Sequence, residues 1–206
     1  MTARRLTLYP QSNYQFTTKD KQPEEDPTVS ARMRRLESEY EVHGMRRSVD
    51  AILLFHQKGF PHLLILQISN TYFKLPGGYL NPGEDEIEGL KQRLQDRLHS
   101  PTHDTLKPGL EDWVIRECVG KWWRPDYDQK TFPWIPDYVT HPKECKKVFV
   151  VQLPSHKIFA IPTNMKMIGV PLFELYGNAT RYGPQIAMVP QMLSAYDFVP
   201  KGDSKI

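Results

Sequence analysis

Gly77-Gly78-Tyr79-Leu80-Asn81-Pro82-Gly83-Glu84 is the stretch on which the reading of this chain turns. Pro76-Gly77-Gly78 and Asn81-Pro82-Gly83 combine turn-forming residues and predict two tight turns. From about residue 84 to 99 the spacing predicts a helix. Ile87, Leu90, Leu94 and Leu98 form its buried stripe, and acids crowd its first turn, where the helix dipole favours them. Upstream, residues 49–56 and 62–68 are rich in branched apolar side chains. They read as two strands joined by the hairpin Gln57-Lys58-Gly59-Phe60-Pro61. The aromatic piece Thr71-Tyr72-Phe73-Lys74-Leu75 lies between this hairpin and the glycines.

Further out the signals thin. Residues 1–27 are polar, carry Pro10, Pro23 and Pro27, and read as an extended arm with loops. Asp26-Pro27 reads as a helix start, with Asp26 as N-cap and Pro27 in the first turn. Val29, Met33, Leu36 and Tyr40 follow at helical spacing, and Gly44 ends the run. Arg32, Arg34 and Arg35 must point away from part of that stripe, so each taken singly reads as a solvated face. Residues 100–111 form a loop punctuated by proline and glycine, and strand signals return at 113–119 and 147–153. Pro171-Leu172-Phe173-Glu174-Leu175 and residues 185–195 predict one or two closing helices. Strands mixed with two or three helices, without internal repeat, give an α/β or α+β class.

Composition bounds the function. The chain has 206 residues, 39% hydrophobic and 11% aromatic, enough for one domain with an arm. Lys and Arg number 27 against 24 Asp and Glu, for a net charge of +3. That excludes a large footprint for duplex DNA, so a nucleic-acid role must rest on base contacts and stacking. Cys118 and Cys145 lack the paired spacing of a zinc site and read as ordinary thiols in a reducing compartment. The apolar runs 51–55 and 148–151 fall far short of the roughly 20 residues that span a bilayer. The first ten residues lack the apolar core of a signal peptide, so a cytosolic or nuclear protein is expected.

The glycine-rich turn and its helix resemble the Nudix box: a Gly, five residues, a Glu, seven residues, then Arg-Glu-apolar-x-Glu-Glu. Gly78 and Glu84 match at that spacing, and Leu94 matches the apolar position. The resemblance implies an α/β fold, a Nudix α/β/α sandwich preceded by an N-terminal arm and helix. The catalytic part fails. Active members cluster late glutamates on one helix face to hold divalent cations, usually Mg²⁺, on a pyrophosphate. Here the segment is Gln92-Arg93-Leu94-Gln95-Asp96-Arg97, so the three Glu positions read Arg93, Asp96 and Arg97. The local charge is about +1 where a metal site needs about −3. Arg93 and Asp96, three apart, are expected to pair with each other. The early acids Glu84, Asp85, Glu86 and Glu88 read as stabilisers of the helix N-terminus. No metal, cofactor or catalytic residue is therefore expected.

The rest of the chain sharpens the resemblance. Leu8-Tyr9-Pro10, Asn13-Tyr14, Gly44-Met45-Arg46-Arg47, Phe73-Lys74-Leu75-Pro76-Gly77-Gly78, Gly120-Lys121-Trp122-Trp123-Arg124-Pro125 and Pro171-Leu172-Phe173-Glu174-Leu175-Tyr176 are similar to one family. It is that of the small Nudix subunits of cleavage factor Im, which act in messenger-RNA 3′-end processing. The resemblance covers about residues 6–198, and its main departure is a shorter N-terminus than in animal forms. It implies a catalytically silent nuclear homodimer that binds single-stranded RNA containing UGUA. Its partners are a larger subunit with an RNA-recognition motif and other polyadenylation machinery, with no membrane involved.

Carried over by position, the family's RNA contacts fall on Glu24, Arg32, Asp50, Thr71, Tyr72, Leu75, Tyr182 and Gly183. Asp50 stands where a Glu is usual and is one methylene shorter. Tyr72 stands where a Phe is usual and keeps the stacking face. These residue types suit the task, because single-strand readers stack splayed bases on rings or guanidinium planes and read their edges with fixed polar groups. An aromatic beside Phe73 could equally be core. Residues 1–47 are then an arm and helix that help build the RNA site, and 48–206 the Nudix-like domain. Trp122, Trp123, Phe132, Trp134 and Tyr138 read as core or interface. Two rival readings stand beside this one: an active Nudix hydrolase of dinucleoside polyphosphates or cap-like substrates, and a scaffold that holds only protein partners.

Overall fold

The computed structural model describes residues 4–23, 26, 28–70, 72–99, 113–127 and 130–202. Its centre is a hairpin of strand β3 (Arg46–Gln57) and strand β4 (Phe60–Ser69). Lys58 and Gly59 both take positive φ, 51° and 82°, as a two-residue hairpin turn matched to strand twist requires. The hairpin is as expected, and β3 begins three residues earlier, at Arg46. Strand β5 (Tyr72–Lys74) pairs with β4. Strand β6 (Gly77–Tyr79) pairs antiparallel with the start of β3. Gly77 is therefore paired strand and not the middle of a tight turn. A Cβ there would collide with the Val49 carbonyl and with Asp50, so close backbone approach is what this glycine serves.

Strands β7 (Val114–Arg124) and β8 (Glu144–Gln152) extend the sheet, with β8 parallel to β3 and placing Lys146 opposite Ser48. Strand β10 (Lys166–Pro171) closes the other edge, completing a seven-stranded sheet in the order β10-β4-β3-β8-β7 with β5 and β6 attached. Strand β9 is Lys157–Pro162.

Because side chains alternate across a sheet, β3, β4 and β8 feed two cores. Ile52, Leu54, Leu63, Ile65, Val148 and Val150 face one. Val49, Ala51, Leu53, Leu64, Leu66, Phe149 and Val151 face the other. Burial on both faces is why these strands read as unbroken apolar runs. Helix α2 (Glu86–Leu98) covers the second face through Leu90, Leu94 and Leu98, with Asp85 as N-cap accepting from the Ile87 and Glu88 amides. The first face is covered by four short helical turns: α3 (Leu172–Leu175), α4 (Ala179–Tyr182), α5 (Pro184–Ala187) and α6 (Val189–Met192). The result is an α/β/α sandwich. Four turns replace the one or two closing helices predicted, since Gly183, Pro184 and Pro190 interrupt the run.

Two N-terminal expectations are corrected. The arm is not loops: strand β1 (Arg4–Leu8) pairs parallel with the C-terminal strand β11 (Tyr196–Pro200), and strand β2 (Tyr14–Lys19) pairs parallel with β9. Leu6, Leu8 and Tyr14 enter the cores. Helix α1 (Val29–His43) starts later than predicted. Its N-cap is Thr28, whose hydroxyl accepts from the Ala31 amide, while Asp26 forms a bidentate pair with Arg35. Pro27 lies outside the described residues. Of the expected stripe only Leu36 is buried, and Val29 is 78% exposed.

Candidate nucleic-acid interface

A cavity of about 1200 Å³ is lined by helix α1 and by the end of the sheet where β3 and β8 begin and β6 ends. Arg32, Asp50, Tyr72 and Leu75 all line this cavity. Arg32 is exposed on α1. Tyr72 is 55% exposed, so its ring is free of the core that its neighbour Phe73 packs against. Leu75 is buried in the floor. Asp50 is buried too, because the strand that carries it has both faces covered. Lys146 Nζ lies 3.0 Å from Asp50 Oδ2, and Gln185 Nε2 donates to the same oxygen at 3.1 Å.

Tyr182 and Gly183 do not line the cavity. Tyr182 is buried with its ring 5.2 Å from that of Phe73, and its hydroxyl donates to Glu174. Burial and that carboxylate push the phenol up to about 12. Gly183 has φ 83° and links α4 to α5, which carries Gln185, so this segment touches the site through Asp50. Glu24 and Thr71 lie outside the described residues.

The walls are strongly basic. Among the described residues, ten Lys and Arg side chains and three carboxylates line the cavity, so the chain-wide charge of +3 hides a local surplus. Half of these cations are committed. Glu144 accepts from Ser48 Oγ at 2.6 Å, from Arg124 Nε at 2.9 Å and from Arg46 Nη2 at 3.0 Å. Burial alone would raise this carboxyl, yet the charges of Lys146, Arg46 and Arg124 and the Ser48 hydrogen bond hold it at about 2. The Arg46 guanidinium sits 4.2 Å over the Tyr79 ring. Lys143 Nζ sits 3.8 Å over the Tyr40 ring and 5.6 Å from that of Tyr127, tying α1 to the segment between β7 and β8.

At the Nudix box the expected Arg93–Asp96 pair is absent. Arg93 reaches back to Glu84 instead, with Nη2 2.8 Å from Oε2 and Nη1 on Oε1, while its Nε donates to the Tyr79 carbonyl at 2.8 Å. The turn before α2 brings Glu84 onto the helix face that carries Arg93, whereas Asp96 accepts from Gln92. Burial opposes the Glu84 charge, but Arg93 and the Asn81 amide hold it below the usual carboxylate range. The other early acids do more than serve the helix end, since Glu86 pairs with Lys147 at 2.6 Å and Glu88 with Lys91 at 2.9 Å. Guanidinium groups occupy two of the three metal-ligand positions, Asp96 at the third accepts from Gln92, and Glu84 is held by Arg93. A divalent cation does not fit these residues, and among the described residues no group of three His, Cys, Asp or Glu side chains is arranged for one.

Sequence reasoning missed Lys146, Gln185, Glu144 and Lys143. One signal was present: the dibasic pairs Arg46-Arg47 and Lys146-Lys147 each open an apolar strand, which places cations at one end of a sheet.

The sandwich, with its glycine turn and helix, is the architecture of the Nudix class. The sequence model of that class, described as nucleotide hydrolase, matches residues 4–196. Three relatives are closer. The chain is 47% identical over 193 residues to pre-mRNA cleavage factor Im 25 kDa subunit 2 of Arabidopsis thaliana, covering 94% of each chain. It is 42% identical to subunit 1 of the same plant, covering 94% of this chain and 85% of that one. It is 43% identical over 200 residues to cleavage and polyadenylation specificity factor subunit 5 of Dictyostelium discoideum, covering 97% and 98%. The chain belongs to this family of cleavage factor Im small subunits. These three relatives are named as subunits of pre-mRNA cleavage and polyadenylation factors, not as hydrolases. Among the described residues no helix is long and apolar enough to cross a membrane.

Proposed function

We propose that this protein is a nuclear, catalytically silent subunit of the pre-mRNA 3′-end processing machinery that reads UGUA in single-stranded RNA. One observation carries the reading. An exposed ring, Tyr72, an exposed guanidinium, Arg32, and a fixed buried carboxylate, Asp50, line one cavity beside a box in which arginines hold two of the three metal-ligand positions. A ring and a planar cation stack bases, while a carboxylate accepts from a base N–H edge. The arm and helix of residues 1–47 supply Arg32 to the site, and residues 48–206 supply the remainder. The protein works as a homodimer and carries a larger subunit with an RNA-recognition motif. Exposed Trp134 and Tyr138 suit such a contact.

Titration of a short UGUA RNA and a scrambled control, followed by fluorescence anisotropy, tests the reading. Preference for UGUA supports it, and equal binding of both RNAs overturns it. The class description as nucleotide hydrolase favours a second reading, turnover of dinucleoside polyphosphates. Incubation with diadenosine tetraphosphate and Mg²⁺ is expected to give no product above background. Turnover that survives further purification and is lost in Glu84→Gln would reverse this.

A further inference from the structure

Along β3 and β8 the even-numbered side chains face the first core, through Ile52 and Leu54 on one strand and Val148 and Val150 on the other. The alternation carries Ser48, Asp50 and Lys146 onto that same face at the cavity end of the strands. Asp50 is thus a carboxylate at the rim of an apolar core. It is buried, so its charge depends on fixed donors. Two reach it, from different elements, and both settle on one oxygen. Lys146 Nζ from β8 lies 3.0 Å from Oδ2, and Gln185 Nε2 from α5 donates to Oδ2 at 3.1 Å. Burial opposes the Lys146 charge, but Asp50 and Glu144 hold its pKa above the ordinary lysine value. Oδ1 is left differently. Among the described residues no hydrogen bond reaches it, and it lies over Gly77, where a Cβ would come within 2.6 Å of it. Gln185 is half-buried and lies outside the cavity lining, so its amide serves the carboxylate and touches no ligand itself.

We propose that Gln185 is a positioning residue for base readout: with Lys146 it commits Oδ2 to the protein and aims Oδ1 at a single base N–H. The inference rests on the base-reading role proposed for Asp50. An aspartate carboxylate turns easily about its last torsion, whose wells are broad and twofold. The Lys146 ammonium is a point charge on a flexible stem and does not fix that angle. A second donor, arriving from α5, does. Because Oδ2 already has two partners, Asp50 meets a base edge through one directed bond. A base that presents an acceptor at that point faces a carboxylate oxygen that cannot turn away, and is rejected. A glutamate at this position would carry its carboxyl one methylene further, past the Gln185 amide, and would not need it. Helix α5 begins directly after Gly183, so the Tyr182-Gly183 segment, which stays out of the cavity, acts on the RNA through this one bond.

The test is fluorescence anisotropy of the full chain with UGUA RNA, a scrambled control and a panel of single-base variants of the element. Gln185→Leu keeps the bulk and removes the donor. It should lower discrimination about tenfold at one position of the element and leave the others unchanged, the worth of one hydrogen bond to a charged group. Gln185→Glu has the same shape but repels Asp50, and should lose at least as much at the same position. Asp50→Glu placed in the Gln185→Leu background should restore discrimination there, since the longer side chain reaches the base without the amide. A merely structural role would weaken every position together and would not be rescued in this way. Both single variants should keep cooperative thermal unfolding. Discrimination unchanged in both Gln185 variants, or lost evenly across the element, overturns the inference and leaves the UGUA reading standing. Equal binding of UGUA and scrambled RNA by the wild type overturns both.

Discussion

Glu144 shows how a single residue ties this site to stability. Its carboxyl titrates at about 2 in the folded chain against an ordinary 4.5. The depressed value means that the network stabilises the fold above the unfolded pKa and loses that contribution as pH falls toward the folded one. About 3 kcal/mol is at stake. Denaturant unfolding should therefore show stability falling steeply between about pH 4.5 and pH 2. Glu144→Gln should be less stable at neutral pH by about 3–5 kcal/mol, because Arg46 and Arg124 lose their shared acceptor, and its profile should be flatter in the acid range. An unchanged acid profile in the variant would show that other carboxyls set it.

Tyr72 is the residue where sequence reading and structure meet most directly. The aromatic doublet leaves open which ring is core. The structure divides them: Phe73 packs against Tyr182 and Tyr72 stays out. Tyr72→Ala should cost roughly 1–3 kcal/mol of RNA binding, the worth of one base–aromatic stack, while Tyr72→Phe should be nearly silent. Anisotropy at fixed salt reads both, and wild-type affinity in Tyr72→Ala would remove the stack from the mechanism. The spacing from Gly78 to Glu84 was legible as a family signature, but the partner of Arg93 was not. Helix spacing pointed to Asp96, whereas the turn before α2 delivers Glu84 from nine residues upstream.

At the scale of elements, hydrophobic period sets what could be foreseen. The β3–β4 hairpin was legible as two continuous runs of branched apolar residues around a turn, and α2 because its apolar residues recur at 3.6. Strands β1 and β2 were not, since each pairs in parallel with a strand more than a hundred residues away and carries little local signal. Helix α1 buries only Leu36, so its position depends on polar and ring contacts: Asp26 with Arg35, and Lys143 between Tyr40 and Tyr127. Tyr40→Ala should remove a cation–π contact worth about 0.5–1 kcal/mol. Amides of α1 should then exchange about two- to fivefold faster with little change in the sheet. Since α1 carries Arg32, RNA affinity should fall with it. Unaltered exchange in α1 would show that Leu36 and Asp26 suffice to seat the helix.

For the whole molecule, composition was a poor guide to local field. A net charge of +3 says little about a cavity in which Lys and Arg outnumber carboxylates ten to three among the described residues. The class and family were legible throughout the chain, while the basic lining was hidden because its cations come from six separate elements and one connecting segment. Light scattering at micromolar concentration should give about twice the 24.0 kDa chain mass, as a homodimer requires. A monomer across that range would contradict the dimer and weaken any role for two UGUA copies in one RNA.

The salt dependence of RNA binding follows from how those cations are already used. Arg46, Arg124, Lys146, Arg93 and Arg35 each hold a carboxylate, and Lys143 is held between rings. Such groups are neutralised before RNA arrives and release few further counterions. Arg47 donates to the Glu84 backbone carbonyl, and Arg32, Lys74 and Arg97 remain, enough for about one to three phosphates. At about −0.7 per phosphate for a single strand, the slope of log affinity against log salt should lie between about −0.7 and −2. Discrimination between UGUA and scrambled RNA should persist at both salt concentrations, because base edges and stacking are screened far less than phosphate charge. Arg97→Met should flatten the slope by about 0.7 if Arg97 meets an RNA phosphate, and an unchanged slope would remove it from the RNA contacts. A wild-type slope near −5 with equal binding of both RNAs would mean that most of these ion pairs open to take phosphates, and that the cavity reads charge and not bases.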